Sequence, residues 1–296
     1  MSILGIILQW AVIQASAVYM QAAPDYESAN VSQTGMGKVV EVLDRDRYWV
    51  KIRTPEPYEG WVNSLCLVEM TEEGRDGYVS SPRYICTEEY SHVYASPSER
   101  SARISDFLMG NIILQGGQET RQWAKVILPS GQEGWVRRSD VEDFRSWAEK
   151  PVRDITAVPL KFLGAAYVWG GMSVKGFDCS GLTGFSYFMN GILLPRDASE
   201  QVKCGEEVRI EDMRAGDLVF FGEERVSHVA LCIAPGRIVH SSQIVRVNSL
   251  DPATASGPSV PPYYGRHIIA VRRILNHIDD GTGATSIIKS PLYFKQ

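Results

Sequence analysis

The sequence lacks an excess of basic residues: 30 Lys and Arg stand against 35 Asp and Glu, a formal net charge of −5. Nucleic acids and anionic membrane surfaces are bound through clustered basic side chains, so neither is expected as a partner. Cysteine is also scarce. The five cysteines have no metal-ligand spacing, and their odd number excludes a fully paired disulfide framework. We therefore expect no metal, no cofactor and at least one free thiol.

Long apolar runs are nearly absent, and 44% hydrophobic residues with 22% charged residues describe a globular chain of two or three domains, expected to be monomeric. The exception is residues 1–23, which are too short and too interrupted by Gln9 and Gln14 to favour a membrane span. Small residues at Ala15 and Ala17, or at Ala22, resemble a signal-peptidase site. The segment predicts a signal peptide and a secreted or periplasmic protein, with an amphipathic packing helix as the alternative.

An internal repeat occupies the first half of the chain. The segment from Trp49 to Val62 aligns without gaps on the segment from Trp123 to Val136, and both end in Glu-Gly-Trp-Val. Each copy has the pattern of a strand, a turn and a second strand. The repeat predicts two small all-β modules, at residues 32–72 and 85–144.

Cys179 lies where a glycine-rich turn meets an apolar segment of helical period, with Leu182, Phe185 and Phe188 on one face. A thiol in the first turn of a helix lies near unpaired N–H groups and the positive end of the helix dipole, which favour the thiolate. We therefore expect a nucleophile at Cys179; the alternative is a small buried cysteine that only packs.

His228 and His240 lie in two β-type runs that are separated by the turn Pro235-Gly236. Paired strands of one hairpin would bring both imidazoles to one sheet face. A thiol is activated by an imidazole within hydrogen-bond reach, which itself needs a polar group to fix its tautomer. We expect His228 to be the base and His240 the orienting group; the alternative is two core histidines.

Several blocks occur in one order: Tyr167-Val-Trp-Gly-Gly, Phe177-Asp-Cys-Ser-Gly-Leu, Leu194-Pro-Arg-Asp, Ala215-Gly-Asp-Leu-Val-Phe-Phe, Ser227-His-Val-Ala and Val239-His. Together they resemble the NlpC family of bacterial cell-wall cysteine peptidases over residues 150–275. The resemblance implies an α+β fold like a small papain, in which a helix carrying the cysteine packs on an antiparallel sheet. It implies Cys179, His228 and His240 as the catalytic residues and leaves residues 276–296 as a tail outside the domain.

The same resemblance suggests a substrate-contacting set around the thiol. Asp178 is expected either to contact substrate or to cap the helix. Arg196 is expected either to bind the α-carboxylate of D-glutamate or to form a surface ion pair with Asp197. The set contains Tyr167, Asp178, Ser180, Arg196 and Ser227.

The two β modules resemble bacterial SH3-like barrels, and one group of NlpC peptidases, dipeptidyl-peptidase VI, has two of them before the catalytic domain. In that group a carboxylate and a tyrosine from the barrels hold the free amine of an N-terminal L-alanine. The counterparts expected here are Glu59 and Tyr94, although Glu133 has the same repeat position as Glu59. The loop at residues 251–264 is long enough to form a rim or lid.

The resemblance therefore implies a cysteine endopeptidase acting on peptidoglycan stem peptides of the type L-Ala-γ-D-Glu-diamino acid. Two other readings stay open. One is an amidase of related fold that cuts between the sugar and L-alanine. The other is a non-catalytic wall-binding protein.

Overall fold

A computed structural model describes residues 8–256, 260–263, 265 and 267–296. The chain divides into two compact units, residues 1–150 with 288–296, and residues 151–287. None of the helices in these described ranges is both long and apolar enough to span a membrane. The helices are short: α1 Glu72–Ser80, α2 Phe144–Ala148, α3 Ala157–Leu160, α4 Cys179–Phe188 and α5 Ala198–Gln201.

The first unit contains two seven-stranded antiparallel sheets. The first sheet has the order β3-β2-β6-β5-β4-β1-β7. Its strands are β1 Trp10–Ile13, β2 Val18–Gln21, β3 Asn30–Thr34, β4 Val39–Asp46, β5 Trp49–Arg53, β6 Glu59–Asn63 and β7 Leu67–Met70.

The second sheet repeats this topology strand for strand, in the order β10-β9-β13-β12-β11-β8-β14. The predicted repeat hairpins also have the same register: Trp49 pairs with Asn63, and Trp123 pairs with Arg137. The predicted duplication of the hairpin is therefore confirmed, and it extends to the order of all seven strands. They are β8 Arg83–Cys86, β9 Tyr90–Tyr94, β10 Arg103–Leu108, β11 Ile112–Glu119, β12 Trp123–Ile127, β13 Glu133–Arg137 and β14 Val141–Asp143.

The predicted boundary between a signal peptide at 1–23 and a first module at 32 is corrected by the structure. Residues 1–7 lie outside the described residues, but β1 and β2 fall within 10–21 and pair with β4, β7 and β3. Ala11 and Ile13 are buried inside the first sheet, while Val12 packs on the other face against Tyr78 and Val79. Removing residues 1–23 would take two strands out of this unit. The secreted or periplasmic location stays a prediction.

Ile13→Ala tests whether β1 is part of the folded unit. Ile13 is completely buried, so truncation should lower the free energy of unfolding of the first unit by about 2–5 kcal/mol. Urea denaturation would measure this. Leu65→Ala is the matched control, because Leu65 is 81% exposed and its truncation should change nothing measurable. Equal stability of the two variants would show that β1 does not contribute to the core.

The second unit is built on a six-stranded antiparallel sheet of order β18-β23-β19-β20-β21-β22, against which helix α4 packs. Two short two-stranded sheets accompany it. The strands of this unit are β15 Met172–Ser173, β16 Gly176–Phe177, β17 Ile192–Leu193, β18 Glu206–Glu207, β19 Leu218–Gly222, β20 Val226–Ala234, β21 Arg237–Ser242, β22 Ile244–Ser249, β23 Ile268–Arg273 and β24 Thr285–Ser286.

The segment predicted as a tail, residues 276–296, is built into both units. Strand β24 pairs with β17 in the second unit. Residues 288–296 belong to the first unit, where the buried rings of Tyr293 and Phe294 pack on Phe144. The backbone carbonyl of Tyr293 accepts a hydrogen bond from Arg83. The end of the chain is therefore structural.

Candidate active site

Helix α4 begins at Cys179 because Asp178 caps it. The Asp178 carboxylate accepts hydrogen bonds from the backbone N–H groups of Gly181 at 2.6 Å and Gly170 at 3.0 Å. These bonds satisfy donors that the helix and the preceding turn would otherwise leave unpaired. The Gly171 carbonyl also lies so close to the helix that a Cβ on Gly181 would be 2.0 Å from its oxygen. The glycine-rich turn and the cap together fix the position of Cys179.

Arg196 binds the side chains at the start of this helix. Its guanidinium lies 2.5 Å from Asp178 Oδ2 and donates to Ser180 Oγ at 2.9 Å, and the residue is only 2% exposed. Of the alternatives for Asp178, the cap is therefore observed. Arg196 forms a buried ion pair and not the expected surface pair, and its burial leaves little of it accessible to a substrate carboxylate. Ser180 is likewise part of this buried network.

The Cys179 thiol is half-buried and lies at the start of α4 beside strand β20. The backbone N–H groups of Ser180 and of Val229, the residue after His228, act on its sulphur. Burial raises the pKa of the Cys179 thiol, and the Asp178 carboxylate adds to the rise; the two N–H groups and Arg196 act in the opposite direction. Burial of the thiol therefore opposes the thiolate that the helix start is expected to favour. A base next to the thiol would offset this effect.

The two histidines meet as the hairpin predicts. Strands β20 and β21 pair antiparallel, and His228 Nε2 lies 2.7 Å from His240 Nδ1. The second nitrogen of His240, Nε2, lies 2.8 Å from the side-chain oxygen of Asn248 on strand β22. All three side chains are buried. Asn248 is a site residue that the sequence reasoning missed.

The hydrogen bonds of Asn248 determine which nitrogens carry protons. The Asn248 amide nitrogen donates to the backbone carbonyls of Pro261 and Pro262, at 3.0 and 3.2 Å, so its oxygen must face His240. Nε2 of His240 is then the donor and Nδ1 the acceptor, which makes His228 Nε2 a donor in turn. The unprotonated nitrogen of neutral His228 is consequently Nδ1. Both prolines belong to the predicted loop at 251–264, of which residues 257–259 and 264 lie outside the described residues.

His240 is held neutral. Burial lowers its pKa to about 4, with a smaller contribution in the same direction from the nearby Arg246 charge, while the Asn248 hydrogen bond acts against the shift. A neutral His240 can orient His228 without adding a second positive charge to the site. This is the behaviour that the role of orienting group requires.

The pKa of His240 predicts an acid-dependent loss of stability in the second unit. Between pH 6.5 and about 4 the unfolded chain binds a proton at this histidine that the folded protein does not, so stability falls as the pH falls. The expected loss from pH 7.5 to 4 is about 3 kcal/mol. Urea denaturation at both pH values would measure it against His240→Gln, which lacks the titrating group. Equal pH dependence of the two proteins would contradict the prediction.

Tyr167 and Ser227, which are also predicted to contact substrate, differ in how exposed they are. Tyr167 is half-buried, on the turn before α4, and its backbone N–H donates to the Gln243 carbonyl at 2.9 Å. Ser227 is exposed, and its hydroxyl donates to the Phe221 carbonyl at 3.3 Å. Ser227 lies at an irregularity in the pairing of β19 with β20, between the pairs Phe221–His228 and Gly222–Val226.

Glu59 and Tyr94 belong to the first unit. The Glu59 carboxylate lies across the hairpin from Lys51 at 2.9 Å and Arg53 at 2.7 Å. In the second sheet Glu133 makes the equivalent pair with Lys125, at 2.8 Å. This repeated ion pair is the cross-strand contact that the repeat alignment would place there.

Tyr94 is 6% exposed, and its ring packs edge-on against Trp123 at a centroid distance of 5.5 Å. The neighbouring Val93 belongs to the core of the second sheet, whereas Tyr94 packs with Trp123 and His92. A substrate contact at Tyr94 stays a prediction. Within the described residues, no cluster of three or more His, Cys, Asp or Glu side chains is arranged to hold a metal ion.

Comparison with known proteins bears on this site. Residues 164–260 match the model of the NlpC/P60 family, and residues 16–68 match the model of a bacterial SH3 domain. The chain is 32% identical over 241 residues to a γ-D-glutamyl-L-lysine dipeptidyl-peptidase of Bacillus cereus, covering 76% of this chain and 71% of the relative. The chain belongs to the NlpC/P60 family.

Two further relatives of this NlpC/P60 protein cover most of its length. A γ-D-glutamyl-L-lysine dipeptidyl-peptidase of Bacillus subtilis is 30% identical, covering 82% of this chain and 81% of the relative. The crystal structure of an NlpC/P60 family protein from Bacillus cereus superposes with a TM-score of 0.76 at 25% identity, covering 90% of this chain and 99% of that one. The SH3 match starts inside the segment predicted as a signal peptide, in agreement with strand β2.

Proposed function

We propose that this NlpC/P60 protein is a cysteine endopeptidase that hydrolyses the bond between the γ-carboxyl of D-glutamate and a diamino acid in peptidoglycan-derived peptides. The observation that carries the proposal is the line of hydrogen bonds from Asn248 through His240 to His228. His228 is the strand neighbour of Val229, whose backbone interacts with the helix-start thiol of Cys179. The dipeptidyl-peptidase names of the relatives support the substrate class.

In the proposed mechanism Nδ1 of His228 takes the proton of the Cys179 thiol, and the sulphur attacks the γ-carbonyl carbon. The tetrahedral intermediate collapses when His228 returns the proton to the leaving amine of the diamino acid, which leaves a thioester on Cys179. Water then attacks the thioester, with His228 again accepting a proton, and frees the acyl peptide and the thiol. Tyr167 is proposed to hold substrate or the oxyanion beside the thiol.

We propose further that the second seven-stranded sheet is a second SH3-like barrel, since its strand order repeats that of the sheet that contains the SH3 match. We also propose that the enzyme selects peptides with a free N-terminal L-alanine, as the dipeptidyl-peptidase relatives' name suggests. An ammonium group would be recognised by a charged acceptor, and Glu59 is the proposed one.

The first experiment compares L-Ala-γ-D-Glu-L-Lys with the same peptide acetylated at its N-terminus. Release of lysine from the unblocked peptide alone would support both the peptidase and the selection of a free amine. Equal release of lysine from both peptides would support the peptidase activity but contradict the proposed selection of a free N-terminal amine. Release from neither would turn attention to the amidase, which purified wall glycopeptides would test by release of stem peptides with a free N-terminal L-alanine.

The duplicated hairpin supplies a matched control for Glu59. Glu59→Gln and Glu133→Gln each remove the same cross-strand ion pair, with Lys51 or Lys125. If Glu59 binds the amine, only Glu59→Gln should reduce the ratio of lysine release from the unblocked peptide to release from the acetylated peptide. Equal behaviour of the two variants would make Glu59 a structural residue.

A further inference from the structure

A cavity of about 440 Å³ opens beside the base of the proposed active site. Its lining includes the imidazole of His228 but not the thiol of Cys179. The other lining residues come from the end of β21, from β22 and from the segment that follows β22. These are Ser242, Arg246, Asn248, Pro261, Pro262, Tyr263 and Gly265.

Arg246 is the charged side chain of this lining. It lies on β22 directly opposite His240, so its side chain is on the same sheet face as the two histidines and Asn248. Every Asp and Glu of the chain is among the described residues, and none of them forms an ion pair with Arg246. Within the same residues its Nε atom is buried without a hydrogen-bond partner.

A buried guanidinium nitrogen without a partner is costly, and the groups that best satisfy a guanidinium are carboxylates, which accept two parallel hydrogen bonds. The cavity therefore has the chemistry of a carboxylate site.

The location of the cavity indicates which carboxylate. A base that returns its proton to the leaving amine must lie within about 3 Å of that nitrogen. The α-carbon of the leaving residue is bonded to this nitrogen, so its carboxylate falls within a few ångströms of His228. A cavity lined by the base and not by the nucleophile lies on the leaving-group side.

We propose that Arg246 binds a carboxylate of the diamino acid leaving group and so sets the preference of the enzyme for a leaving residue with a free carboxyl group. This inference rests on the proposed peptidase function. The cavity would then accept a diamino acid whose carboxyl group is free, as at the end of a tripeptide. It would be less suited to a diamino acid whose carboxyl group is bonded to a further residue through an amide.

The test uses three peptides that differ by one charge: L-Ala-γ-D-Glu-L-Lys, the same peptide ending in L-lysinamide, and L-Ala-γ-D-isoglutaminyl-L-Lys, in which the α-carboxyl of D-glutamate is amidated. For the wild type, kcat/KM should be about ten- to a hundredfold higher for the free lysine carboxyl than for the lysinamide. In Arg246→Met this ratio should fall to about one, and in Arg246→Lys, which keeps the charge, to an intermediate value. The ratio cancels any effect of the substitution on the acyl-transfer step that both peptides share.

Arg237→Met is the matched control, because Arg237 lies on the neighbouring strand β21 and is absent from the lining of this cavity. Its ratio should equal that of the wild type. Cleavage of no peptide by the wild type would contradict the proposed function itself. Cleavage with equal kcat/KM for lysine and lysinamide, or a ratio unchanged in both Arg246 variants, would overturn the role of Arg246 while the function stands. The role of Arg246 would also be overturned if its substitution changed kcat/KM only relative to the D-isoglutaminyl peptide. Arg246 would then bind the α-carboxylate of D-glutamate, on the acyl side of the cleaved bond.

Discussion

Replacing Cys179 by alanine should lower kcat/KM for L-Ala-γ-D-Glu-L-Lys by at least about a thousandfold, since the thioester pathway needs the sulphur and no neighbouring side chain replaces it. The fold should be retained, because Cys179 is half-buried and the change in volume is small. Circular dichroism and thermal unfolding would check the fold, and lysine release would measure the activity.

Cys66→Ala is the matched control for the nucleophile. Cys66 is also a half-buried thiol, but it lies in the first unit, in the short 3-10 turn between β6 and β7, and its pKa is raised by burial alone. This variant should turn over at the wild-type rate. Retained activity in Cys179→Ala would end the nucleophile assignment, and an equal loss in Cys66→Ala would show that the assay reports general damage.

Replacing Arg196 by methionine should destabilise the second unit by about 3–5 kcal/mol, because the Asp178 carboxylate would then be buried without its charge partner. Activity should also fall, because Asp178 caps the helix that begins at Cys179. Without Arg196 the cap is expected to hold Cys179 less firmly. Urea denaturation, with lysine release as the second readout, would measure both losses.

Two comparisons separate this effect from a general loss of charge. Arg209→Met removes exposed ion pairs with Glu211 and Asp212 and should leave stability unchanged within error. The double variant Arg196→Met with Asp178→Asn removes the buried charge and should recover part of the loss. A single variant as stable as the wild type would show that the buried pair does not hold the helix start.

Much of the site was predictable because local patterns determined it. The glycine-rich turn, the apolar period after Cys179 and the two β-type runs around Pro235-Gly236 are all properties of short segments. They correctly predicted helix α4 and the contact between His228 and His240. The contacts of Arg196 with Asp178 were not predictable in this way, because they depend on how a distant loop folds back under the helix.

Asn248 and Arg246 could have been found by counting register. The turn between β21 and β22 is at Gln243, whose φ of 67° is in the left-handed region that few side chains adopt. Counting outward from Gln243 places residue 246 opposite His240 and residue 248 on the same sheet face. The prediction of the hairpin of β20 and β21 does not extend to β22, so it includes neither residue.

The N-terminal strands were missed for a different physical reason. A half-buried strand alternates apolar and polar residues, but both faces of β1 are covered, one by the sheet interior and the other by helix α1. The resulting run of apolar residues has the composition of a signal sequence. Only the tertiary contacts distinguish the two.

The hydrogen bonds that begin at Asn248 also limit the path by which a proton can leave the proposed active site. The Asn248 amide cannot release or pass on a proton, and its orientation is locked by two proline carbonyls. A proton that enters at His228 therefore meets a closed end beyond His240 and has no exit toward the loop through these hydrogen bonds. It can leave only through Nδ1 of His228, the ring nitrogen that does not face His240.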